Sequence, residues 1–181
     1  MDDVAKQAEF SKRTVYMYFN SKEQLYFEIM IKGYKLLLER VEAELPEVSR
    51  GGNALDTLRG FGALLYDFSR RYPEYFAAIV EYETAEADFN KAIASESLQE
   101  CYALGERMTA HLADTLQRGV VEGALREDLD VDRTTLVLWA SVIGVLMTVR
   151  KKENYLHNVR QTSADELVGA AFEMLLRAIR V

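Results

Sequence analysis

The sequence predicts an all-α fold, in which a small helix-turn-helix head precedes a larger helical body. Three observations predict it. Prolines number only two, Pro46 and Pro73, and both stand where helical patterns break. No segment alternates with period two for long enough to suggest a sheet. Apolar residues recur instead at i, i+3 and i+4, and helix-start signals precede several of these stretches.

The first short helix is expected over 2–8. Val4, Ala5 and Ala8 share one face, and Asp2 and Asp3 lie at its start, where the helix dipole favours anions. After a turn at Glu9-Phe10, Ser11 is a good N-cap for a second short helix through Phe19. Val15, Tyr18 and Phe19 then face inward, while Arg13, Thr14 and Met17 lie on another face with Tyr16 beside them. Ser21-Lys-Glu-Gln24 is a capping box that opens a long helix to about Leu45, with Leu25, Ile29, Leu36, Leu37 and Val41 inside. Pro46 to Asn53, with Gly51-Gly52, is the clearest linker. It divides a head with its connecting helix, 1–45, from a body, 46–181.

In the body a helix is expected from Ala54 to Arg71, and a short one from Pro73, which suits the first helical position. A long helix follows from near Phe89 to about Glu122, with Gly105 a candidate irregularity. Gly123 to Asp130 reads as a loop. Helices from about Asp132 to Arg150 and from Ser163 to Arg180 finish the pattern, the last opened by the capping box Ser163-Ala-Asp-Glu166.

Composition excludes several classes. Of 181 residues, 49 % are apolar and 28 % charged, which is globular rather than disordered. The formal charge of −7 disfavours indiscriminate binding to nucleic acid or anionic membrane, although it permits a small DNA-reading head on an acidic body. The single cysteine, Cys101, rules out an intramolecular disulfide. His111 and His157 have no cysteine partners, so no metal site or cofactor is expected. The apolar run Leu136–Val149 is too short to span a bilayer and reads as a buried helix, and no export signal opens the chain, so a cytoplasmic location is expected. No nucleophile elbow, P-loop, dinucleotide fingerprint or paired Glu-x-x-His motif is present, which disfavours an enzyme.

Two short helices joined by a tight turn meet the physical need of a DNA reader, with one crossing the phosphate backbone and the next lying in the major groove. Lys12, Arg13, Thr14, Tyr16 and Met17 offer polar, basic or exposed groups outward. Lys22, opening the next helix, can reach a phosphate.

The wording of this segment is more specific. Asp2-Asp3-Val4-Ala5-Lys6-x-Ala8, then Phe10-Ser11-Lys12-x-Thr14-Val15-Tyr16-x-Tyr18-Phe19-x-Ser21-Lys22-Glu23-x-Leu25, resembles the DNA-binding head of the tetracycline-repressor (TetR) family. Gly119-x-x-x-Gly123-x-x-Arg126-x-Asp128-Leu129-Asp130 also looks like a family habit before the penultimate long helix. The resemblance implies a transcriptional regulator, most often a repressor, that binds operator DNA as a homodimer and is released by a small effector. It places Ser11, Lys12, Arg13 and Thr14 at the start of the recognition helix, Thr14, Tyr16 and Lys22 on phosphates, and Arg13 and Met17 at positions that help choose the sequence. The family's turn glycine is replaced by Glu9. If that residue needs positive φ, the replacement costs roughly 1 kcal/mol. The family head also has a further helix before this point, so the chain is expected to lack it and to leave one face of the head exposed. A helical dimerisation or scaffold module without DNA binding is the alternative that this leaves open.

The resemblance also implies an effector pocket among the body's aromatics. Phe61, Leu65, Tyr66, Tyr102, Met108, His111, Trp139 and Met147 are expected to line it, selecting an apolar or aromatic molecule. The acidic stretch Glu81, Glu83, Glu86 and Asp88 reads as a solvated helix end near the pocket entrance. The last long helices carry more apolar surface than one small body needs to bury, which implies a partner. Under the resemblance that partner is a second copy meeting Val142, Ile143, Leu146, Leu167, Ala171, Phe172 and Leu175, with small Gly144, Gly169 and Ala170 allowing close approach.

Overall fold

A computed structural model describes residues 1–48, 50–84 and 96–181 of the chain. Among them the fold is all-α: α1 (Asp2–Gln7), α2 (Lys12–Tyr18), α3 (Lys22–Val48), α4 (Ala54–Arg71), α5 (Pro73–Thr84), α6 (Glu96–Val121), α7 (Val131–Lys151), α8 (Glu153–Asn158) and α9 (Ala164–Ile179). Phe89, Glu86 and Asp88, named above, lie outside the described residues, as does the side chain of Glu83.

Capping chemistry sets most helix starts. The Ser11 side chain accepts from the Thr14 N–H at α2, Asn53 and Asp56 form a reciprocal box at α4, and Ser163 and Glu166 do the same at α9. At α3 the Gln24 N–H donates to Ser21 Oγ, while the Gln24 side chain reaches back to the Asn20 N–H rather than to that of Ser21. α6 continues unbroken through Gly105. α8, a single short helix after α7, has no sequence signal strong enough to separate it from a loop.

α3 does not end at Leu45. It runs through Pro46 to Val48, with the proline inside the last turn. Met30, Ile31, Tyr34, Leu37, Leu38, Val41 and Leu45 are buried in the same core as α4, α6, α7 and α9. The connecting helix therefore packs into the body's core along most of its length. Its fully buried stripe begins at Met30; of the residues expected inside, Leu25 and Leu36 are only partly buried and Ile29 is exposed.

α7 is longer than its apolar run. At 21 residues with mean hydropathy 1.3 it is long and apolar enough to cross a membrane by length and composition alone. In this fold its inner face joins the core through Leu138, Trp139, Ile143 and Leu146.

The loop between α6 and α7 accounts for the second motif. A Cβ on Gly119 would stand 2.6 Å from Leu125 Cδ1 and 2.9 Å from Ala54 Cβ, and Gly123 holds φ +70°. Arg126 grips Asp128 through Nε and Nη2 at 2.9 and 2.7 Å, and Asp130 caps α7 by accepting from the Arg133 N–H. The loop backbone is pinned to the end of α9, where Arg126 N–H donates to the Ile179 carbonyl at 3.0 Å. Gly119→Ala is expected to lower stability by about 1–3 kcal/mol, because Leu125 is wholly buried and has nowhere to go. Urea unfolding of the two proteins would check it, and equal midpoints would contradict it.

Candidate nucleic-acid interface and effector cavity

The head is a two-helix unit packed through Ala5 and Val15, its buried residues. Glu9 stands in the turn with φ +57°, the left-handed conformation in which a non-glycine residue is strained. This is the geometry the family's glycine serves. Tyr18 does not face inward as expected: it is 74 % exposed, because no described element packs over that side of α2, and Phe10 and Val4 are exposed as well. Phe19 is half-buried.

The structure brings the expected DNA-contact residues to one end of the molecule. Arg13, Tyr16 and Met17 are exposed on α2, Met17 at 77 %. Ser11 and Thr14 are tied together at the helix start, with 2.7 Å between their hydroxyl oxygens. Lys22 is exposed in the first turn of α3. Lys12 is already engaged, since its Nζ lies 2.8 Å from Asp2 Oδ1. That bond holds the Asp2 carboxyl below its ordinary range and the Lys12 ammonium above its own. DNA phosphate would therefore compete with Asp2 for Lys12.

In the body, an apolar cavity of about 40 Å³ lies among α4, α6, α7 and α9. Phe61, Leu65 and Trp139 line it, as expected. Leu58, Gly62, Leu112, Leu138 and Leu176 complete it, together with Val142, Phe172 and Leu175. The resemblance assigns these last three to a dimer interface; within the single chain they are half-buried, and α9 lies against α4, where a Cβ on Gly62 would be 2.8 Å from the Phe172 ring. The signal is present in the sequence, since Leu58, Phe61, Gly62 and Leu65 recur at helical spacing, but periodicity alone does not say which buried stripe leaves a gap.

The other expected lining residues lie elsewhere. Met108 is wholly buried in the core, and Met147 packs against it in part. Tyr102 is 46 % exposed. His111 sits in a separate open cleft between α3, α4 and α6, its Nε2 3.7 Å from Glu42 Oε1. The Tyr66 hydroxyl donates to Asp165 Oδ1 at 2.6 Å, and burial, then this carboxylate, raises its pKa. Cys101 is a buried thiol whose pKa burial pushes up to about 12, which leaves it unreactive. Among the described residues, no cluster of three His, Cys, Asp or Glu side chains has the geometry of a metal site.

On α7 and α9, Ile143, Leu146 and Ala171 are buried inside the single chain, and Leu167 is half-buried. The outward apolar surface is a different set. Leu136, Val137 and Met174 are 64, 55 and 67 % exposed, and Ala140, Gly144, Gly169 and Ala170 are exposed beside them. A Cβ on Gly144 or Gly169 would meet nothing within 4 Å, so this face is open.

The geometry is that of a helix-turn-helix head on an all-helical body that holds an apolar cavity. Residues 1–29 match the family model described as bacterial regulatory proteins, tetR family. Solved structures match the whole fold. The MbdR regulator from Azoarcus sp. CIB aligns with TM-score 0.75 and 19 % identity, over 99 % of this chain and 87 % of that one. The ketosteroid transcriptional regulator KstR2 of Mycobacterium tuberculosis gives 0.70 and 20 %, over 99 % and 83 %. PfmR from Thermus thermophilus, a TetR family transcriptional regulator, gives 0.70 and 21 %, over 97 % and 86 %. No curated protein sequence matches. The fold is that of the TetR-family transcriptional regulators, and the head carries that family's sequence signature.

Proposed function

We propose that the chain is a cytoplasmic transcriptional repressor. Two copies joined through the outer faces of α7 and α9 would place one head on each half of a roughly palindromic operator. A small apolar or aromatic effector in the α4–α6–α7–α9 cavity would favour a head spacing that no longer fits. Coupling of about 1–3 kcal/mol is enough for such a response. The observation that carries this reading is the outward face of α2, where Arg13, Tyr16 and Met17 are exposed with Lys22 at the start of the next helix. At about 40 Å³ the cavity is smaller than a drug-sized site, so an effector must displace a wall, and Phe172 against Gly62 is the ring placed to move.

One observation favours the dimerisation module instead. Asp2, Asp3 and Glu9 bring three carboxylates to the head, and Asp2 already holds Lys12. A salt titration of binding to genomic fragments separates the two readings. Lys22→Ala is expected to weaken all sequences about equally and to lower the salt slope by about one counterion per head. Arg13→Ala should instead alter the preference among bases, by about 1–3 kcal/mol. Absence of any salt-dependent binding would leave the module reading in place.

A further inference from the structure

A second opening, of about 450 Å³, lies where the end of α4, the start of α5, the end of α7, the start of α8 and the first turn of α9 meet. Its volume is that of a small-molecule site. Its chemistry is unlike that of the apolar cavity. Pro73, Leu146 and Val149 supply an apolar wall, while Arg70, Arg150, Glu153 and Asp165 bring both signs of charge to the same cleft. One pair is internally satisfied. Arg70 Nη1 lies 3.5 Å from Asp165 Oδ1, which also accepts from Tyr66. The other two charged side chains are exposed. Arg150 donates through Nη1 to the Pro73 carbonyl, and neither it nor Glu153 forms an ion pair with a described residue.

We propose that this cleft binds a small zwitterion carrying an apolar group, the chemistry of an apolar α-amino acid. The ligand carboxylate meets the free side of the Arg150 fork, its ammonium meets Glu153, and its side chain covers Pro73, Leu146 and Val149. A simple anion would leave Glu153 facing it, and a simple cation would leave Arg150 facing it. Only a ligand with both charges uses both groups. The site is additional to the apolar cavity and does not depend on DNA binding.

Isothermal titration of the intact protein with three probes tests it: L-leucine, 4-methylpentanoate, which lacks the ammonium, and 3-methylbutylamine, which lacks the carboxylate. Leucine is expected to bind at least tenfold more tightly than either one-charge analogue. Arg150→Gln should weaken leucine at least tenfold and leave 3-methylbutylamine unchanged. Glu153→Gln should weaken leucine likewise and leave 4-methylpentanoate unchanged. Both side chains are exposed, and matching thermal melts of the variants would show that each still folds. The proposal is overturned if 4-methylpentanoate binds as tightly as leucine, if neither substitution changes leucine binding, or if leucine gives no heat at millimolar concentration. Each readout is independent of operator binding, so its failure and that of the repressor reading are distinguishable.

Discussion

If two copies pair through the outer faces of α7 and α9 as proposed, Gly144→Glu is expected to leave a monomer of 20.7 kDa and to remove operator binding with the dimer. Gly144 is exposed on the outer face of α7, and a side chain there meets nothing within the single chain. Glutamate is the better helix former, by somewhat under 1 kcal/mol, so the monomer should be no less stable than before. In a two-fold interface the same position occurs twice, and each carboxylate would be buried without a partner. At about 3–5 kcal/mol for an uncompensated buried charge, the dimer dissociation constant should rise by at least about a thousandfold. Light scattering at micromolar concentration reads the mass, and a thermal melt confirms that the fold survives. A variant that still scatters as a dimer would place the interface elsewhere.

Phe68→Ala should cost about 3–5 kcal/mol, the largest stability loss expected from a single substitution here. Phe68 is wholly buried in α4 and packs against Tyr72, with ring centroids 5.3 Å apart. It lies in the core that joins α3 to the body, so the hole opens under the connecting helix. For a chain of this size the loss corresponds to a fall of about 6–20 °C in melting temperature. It is also a large share of the roughly 5–15 kcal/mol that holds a domain folded. Circular dichroism during heating measures it. A fall of only a degree or two would mean that the core collapses around the gap.

The helices are legible in the sequence because their starts are chemical. Ser11, Ser21 and Ser163 each have a partner three residues on that completes a cap, and the helices begin within a residue of these signals. The exposure of Arg13, Tyr16 and Lys22 is legible for a related reason: they lie on a local surface fixed by two short helices and a turn. What stays hidden depends on which helix lies against which. Val142, Phe172 and Leu175 are apolar at helical spacing, and the same pattern suits a cavity wall and an interface. All three are half-buried in the single chain, where Phe172 approaches Gly62, and this burial is compatible with both uses. The end of α3 is hidden because Pro46 reads as a helix breaker, yet the helix carries it in its last turn. The charged cleft near α8 is invisible in sequence because Arg70, Arg150 and Asp165 come from three separate helices.

α3 is a single helix of 27 residues, about 40 Å from end to end, with the head at one end and most of its length fixed in the body core. Near the head, α5 leans directly on it. The Tyr26 hydroxyl donates to the Ala78 carbonyl at 3.0 Å, and Gly33 leaves room for Tyr75, whose Cβ would stand 3.1 Å from an added methyl. Such a helix is a lever whose fulcrum is α5. From Gly33 back to Lys22 at the start of α3 is about 16 Å, so a tilt of about 5° about that contact would carry the head end roughly 1.4 Å. On the proposed reading, a shift of α5 would reposition each head by a fraction of the roughly 3.4 Å rise of a base step, without breaking a helix or unfolding a turn.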